Sequence, residues 1–109
     1  MDLINDLNTL TTVTLSQAVK DMAKYGKAKS QAEHDYRVAV QHETLKQREK
    51  GTPATLIEKI VNGITADLRL ERDIQEVYYK TAQEKINAIK KQIEVMNEQV
   101  KREWSNNNE

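Results

Sequence analysis

Residues 65–104 read TADLRLERDIQEVYYKTAQEKINAIKKQIEVMNEQVKREW, and this stretch decides the fold. Leu70, Ile74, Val77, Tyr78, Ala82, Ile86, Ile89, Ile93, Met96, Val100 and Trp104 recur at steps of three and four, the period of an amphipathic helix. No Gly or Pro follows Gly63, so nothing in the stretch breaks a helix. Forty residues at ~1.5 Å each make a rod of roughly 60 Å. A rod with a narrow apolar stripe needs partner helices along its length.

Upstream, Leu15–Lys50 reads as a second long helix. Its stripe is Leu15, Ala18, Val19, Met22, Tyr25, Ala28 or Lys29, Ala32, Tyr36, Ala39 and Val40. It uses Ala where the later helix uses Ile, and small residues facing bulky ones allow close approach. Gly26 is its weak point, at ~1 kcal/mol against Ala, and predicts a kink or a start there. Between the rods, Gly51 stands at a helix C′ position behind Lys46, Arg48 and Lys50, cations suited to a helix C-terminus. Thr52 and Pro53 then read as N-cap and first residue of a short helix. Leu56, Ile57, Ile60 and Val61 form its apolar face, Gly63 ends it, and Thr65 caps the next. The predicted fold is all-α: a long antiparallel helical hairpin with a short connecting helix, dimerised into a four-helix or coiled-coil bundle.

The predicted organisation is an arm over residues 1–14, a hairpin domain over 15–104 and a disordered tail over 105–109. In the arm, Asp2 caps a short helix carrying Leu3, Ile4, Leu7 and Leu10, and Thr11 to Thr14 interrupt it by favouring extended backbone. This segment reads either as a docking helix or as a frayed arm. On the last helix, Arg69–Asp73, Arg72–Glu76, Glu76–Lys80 and Glu98–Arg102 have the four-residue spacing of surface ion pairs.

Composition narrows function. The 109 residues carry 17 Lys plus Arg against 17 Asp plus Glu, so no global field favours nucleic acid. Cations cluster at Lys46, Arg48 and Lys50 and at Lys90, Lys91, Lys101 and Arg102, but Glu84, Glu94, Glu98 and Glu103 interleave with the second group. With no Cys there is no disulfide, thiolate or Cys-based zinc chemistry. No signal peptide or membrane-length apolar run stands out, so a cytoplasmic chain with no membrane partner is expected.

Catalytic patterns are missing. His34 and His42, eight residues apart, lie ~12 Å apart on a helix, too far to share a metal. His42-Glu43 begins a zincin motif, but Lys46 stands where its second His belongs. Ser16, Ser30 and Ser105 have no recognisable triad. We therefore expect no enzyme, no cofactor and no metal. Tyr78 reads as core, with Tyr79 open. Trp104 reads as the closure of a bundle or a contact to another chain. The candidate interaction surface is Leu56, Ile57, Ile60, Val61 and Trp104. Nucleic acid is the less favoured partner.

The run KGTPATLIEKIVNG, then LRLERDIQEVYYKTAQEKINAIKKQI, ending QVKREW, resembles a type of small all-helical protein encoded by phages, prophages and mobile elements of Gram-positive bacteria. The resemblance covers residues 43–104, through Gly51-Thr52-Pro53, Thr55-Leu56-Ile57, Leu70-Glu71-Arg72-Asp73 and Arg102-Glu103-Trp104. Genes of this type often lie among replication and recombination functions. The helical shape and the lack of a catalytic pattern predict a non-enzymatic interaction protein that binds a host or phage protein through the Thr52–Gly63 corner or a long helix face. The alternative, in keeping with that gene neighbourhood, is a nucleic-acid accessory factor in phage recombination or replication. The resemblance assigns no residue a role.

Overall fold

A computed structural model describes residues 2–107. Of these, 94% are helical and none is in a strand. The elements are α1 (Leu3–Thr9), a π-helical turn (Leu10–Thr14), α2 (Leu15–Glu49), α3 (Ala54–Ile64) and α4 (Ala66–Asn107). None is long and apolar enough to cross a membrane. Two compact units emerge: Tyr25–Tyr79, and the residues up to Lys24 together with those from Lys80 onward.

The first element starts as its sequence predicts. Asp2 Oδ1 accepts from the backbone N–H of Ile4 at 3.0 Å and of Asn5 at 3.3 Å, satisfying two amides that open every helix unpaired. The threonines do not interrupt the chain as expected. Helix continues from Leu3 to Glu49, widened to a π turn at Leu10–Thr14. The hydroxyls of Thr9, Thr11 and Thr12 donate to the carbonyls of Asn5, Leu7 and Asn8, four residues back, at 3.0, 2.9 and 2.7 Å. Local side-chain bonds of this kind compete with the regular ladder and loosen it. They absorb the β-branched run as a wider turn and leave no break.

In the unit holding both chain ends, the core is Ala18, Ile86 and Ile89, with Leu15, Met22 and Ile93 packed against it. Ala opposite Ile lets the helices approach closely, as the sequence implies. α4 continues through Ser105 to Asn107, so the tail expected to be disordered from 105 is helical that far. Residues 108 and 109 lie outside the described residues.

The other unit contains the corner. Gly51 has φ 74°. The N–H of Thr52 donates to the Gln47 carbonyl and that of Gly51 to the Arg48 carbonyl, each at 3.0 Å, which is the bonding of a Schellman motif. Thr52 was expected to cap α3, but its hydroxyl turns back and donates to Oε1 of buried Gln47 at 2.8 Å. Pro53 itself holds the N-cap position, without a side-chain bond. Gly63 does not end α3, which runs to Ile64. The stop belongs to Thr65, whose N–H and hydroxyl both donate to the Val61 carbonyl, at 2.9 and 2.7 Å. Its side chain therefore closes α3 instead of capping α4.

Gly26 makes no break in α2. A Cβ there would sit 3.2 Å from Cε2 of Tyr79, so this glycine admits an aromatic ring close to the backbone.

Candidate interaction surface

The contacts between α2 and α4 in the Tyr25–Tyr79 unit run in opposite chain order and are largely polar. Tyr25 and Tyr78 place their rings 5.7 Å apart at 51°. The edge of Tyr79 lies over Gly26, and the Lys29 ammonium sits 5.3 Å from its ring centre. Farther along, the Arg72 guanidinium lies 4.5 Å from the Tyr36 ring centre. That guanidinium reaches Asp73 at 3.0 Å and Glu33 at 3.6 Å, and Glu33 also binds Arg37 at 2.8 Å. The hydrogen bond that Arg72 donates to Asp73, more than any other influence, holds the Arg72 pKa above its ordinary value, with the charges of Asp73 and Glu33 acting the same way against desolvation. Stacked and paired, Arg72 is held here as a cation.

This seam revises the stripe read from the sequence. Ala82, Ile86 and Ile89 are buried, and Ile93, Met96 and Val100 are half-buried, as expected. Before Ala82, Ile74 is half-buried as expected, but the buried side also takes in Thr65, Arg69, Arg72, Gln75, Glu76 and Tyr79. Leu70 and Val77 are 58% and 59% exposed, and Tyr78 is also exposed. At about 100° per residue, Leu70 lies roughly 180° around the helix from Tyr79. The steps of three and four therefore joined two faces of one helix. Tyr79, left open by the sequence, is the residue on the seam, and Tyr78 is the one at its rim. Val19 likewise turns outward from α2.

The residues expected to form one interaction surface are not equivalent. Val61 is 3% exposed and belongs to the interior beneath α3. Leu56 is exposed, while Ile57 and Ile60 are half-buried. Trp104, expected to close a bundle, is 72% exposed near the end of α4. It belongs to the other unit.

Sequence reading missed a groove in the Tyr25–Tyr79 unit. Hollows of about 600 Å³ and 400 Å³ share Val40, Thr44 and Arg48. The first continues along α2 past Tyr36, Arg37, Gln41 and Leu45, and the second is closed on its far side by Ile57, Glu58 and Val61 of α3. A third concavity of about 610 Å³ lies over the polar seam, between Lys29, Glu33, His34, Arg37, Arg72 and Glu76. Glu33 is shared there by Arg37 and Arg72. A signal for the seam was available: counting sevens back from Val100, Ile93 and Ile86 reaches Tyr79, Arg72 and Thr65. No comparable signal marks the groove, because α3 makes its second wall.

Of the ion pairs expected on α4, Asp73 takes Arg72 and Glu98 takes Lys101. His34 and His42 are both exposed. Among the described residues no three His, Asp or Glu side chains are grouped to hold a metal ion. No family model, curated protein or solved structure matches this chain.

Proposed function

We propose that this chain is a non-enzymatic helical interaction protein. α2 and α4 form an antiparallel hairpin, two copies pair into a bundle, and the pair binds a further protein. The observation carrying this reading is the apolar face of α4 that its own chain leaves uncovered, with Leu70 and Val77 both more than half exposed. An apolar side chain at solvent gains about 1.5–3 kcal/mol on full burial, and clustered apolar exposure marks a binding surface. The opposite order of contacts between α2 and α4 supports the hairpin. Leu56 and Ile60 on α3 are the contact residues for the further partner. A phage or host protein as that partner, in the host cytoplasm, is carried by the resemblance of residues 43–104 alone.

A photoactivatable side chain at Leu56 or Val77, compared with one at Gln92, tests the reading in the cells that express the protein. Adducts to another protein or to the chain itself are expected at the first two positions. Equal yields at all three would refute it.

The alternative is a nucleic-acid accessory factor. Lys46, Arg48 and Lys50 at the end of α2 are exposed, and none of them makes a salt bridge among the described residues. Phosphate contacts would give DNA binding that falls steeply with salt. A gel shift at 50 and 200 mM salt decides that alternative.

A further inference from the structure

The groove and the uncovered face of α4 are complementary in kind. The groove is apolar along its floor, through Val40, Leu45 and Ile57, and carries arginines at positions 37 and 48 of α2. Those positions are eleven residues apart, so roughly 16 Å, or three helical turns, separates them. Among the described residues, Glu58 on the α3 wall is the one carboxylate lining either hollow. The α4 face is the counterpart: exposed Leu70 and Val77 with half-buried Ile74 between them, flanked by Asp67 and Glu71, while Asp73 is engaged by Arg72 at 3.0 Å. Arg69 and Arg72 lie on the other side of α4, toward the seam. An apolar floor edged by Arg48, and by Arg37 in its pair with Glu33, thus lies on the same unit as an apolar ridge edged by Asp67 and Glu71.

We propose that the α2–α3 groove receives the Leu70–Ile74–Val77 face of α4 from a second copy of this chain, and that the second copy receives the same face in return. The proposal rests on the reading that the chain pairs with itself, and adds which surfaces meet. A two-fold arrangement uses the contact twice, so residues of the groove in one copy meet residues of the ridge in the other. Two uses double the buried area toward the ~1,200–2,000 Å² of a stable interface. Charge complementarity fixes which ridge enters which groove.

Reciprocity makes a decisive experiment available. In variant R37E/R48E both contacts of a pair set carboxylates against carboxylates. In variant D67K/E71K both set cations against cations. Mixed one to one, every groove in the mixed pair meets a ridge of opposite charge. Sedimentation equilibrium at low micromolar concentration should show the natural chain as a dimer. Each variant alone should be at least tenfold weaker in self-association, and the mixture should recover the dimer. All four residues are exposed, and far-ultraviolet circular dichroism should give the same helicity for every chain. If the natural chain is a monomer at 50 µM, both the self-pairing reading and this interface fail. If it is a dimer that the variants leave unchanged, or one that the mixture does not restore, this interface fails and pairing through another face stands. If a variant loses helicity, V77D replaces it, and an undiminished dimer in V77D overturns the proposal.

Discussion

The same substitution at two glycines should move stability in opposite directions. Gly51 has φ 74°, and a Cβ built there meets nothing within 4 Å. The penalty of Gly51→Ala is therefore purely one of backbone conformation. An L-residue held in the left-handed region loses about 1–2 kcal/mol relative to its preferred conformations. Reduced freedom of the unfolded chain offsets only part of that loss, because the native conformation is the wrong one for Ala. Gly63 also has open space around its Cβ position, but it lies within α3 without a positive φ. Gly63→Ala should stabilise by about 0.5–1 kcal/mol, the usual difference in a helix interior. The two variants should thus differ by roughly 2 kcal/mol. At about 4 °C per kcal/mol for a chain near 100 residues, that is a gap of about 8 °C in Tm. Thermal melts followed at 222 nm measure it directly. G51A melting at or above the natural chain would show that the corner does not require a left-handed residue, and the reversal at Gly51 would have to be rebuilt.

Ile89→Asp places a carboxylate at a site 5% exposed, and an unpaired buried charge costs several kcal/mol; loss of cooperative melting is expected. Leu70→Asp at its 58% exposed position should leave helicity and the Tm of the isolated monomer almost unchanged, and equal damage from both would invalidate the two-faced account of α4. Thr52→Val removes the hydroxyl bond to buried Gln47 and should lower stability by about 1 kcal/mol in urea unfolding; an unchanged midpoint would show that Gln47 finds another donor. Spin labels at exposed Gln17 and Lys90, in chains diluted with unlabelled protein, should lie on the order of 10–20 Å apart if the hairpin forms, given helices packed 8–10 Å apart. A separation of many tens of ångströms would refute it.

What the sequence determined by itself was local. The helical period, the left-handed glycine after a cationic helix end and the Asp2 cap are written in near neighbours, where propensity, capping and φ preference act. The Ala18, Ile86 and Ile89 core was legible for the same reason: its apolar residues stand at helical spacing with no competing face. Where two faces of α4 both carry apolar residues, spacing alone could not choose between them. Tertiary structure chose, because Gly26 leaves room for the Tyr79 ring and Tyr36 and Glu33 receive Arg72, so a polar side is buried and Leu70 and Val77 turn out. The role of Thr65 is local as well: a threonine at a helix junction can bond forward or backward, and its hydroxyl donates to the Val61 carbonyl four residues back at 2.7 Å, as those of Thr9, Thr11 and Thr12 do to theirs. The groove is tertiary altogether: Val40 and Ile57 stand on different helices, and the Gly51 reversal brings their surfaces together as two walls.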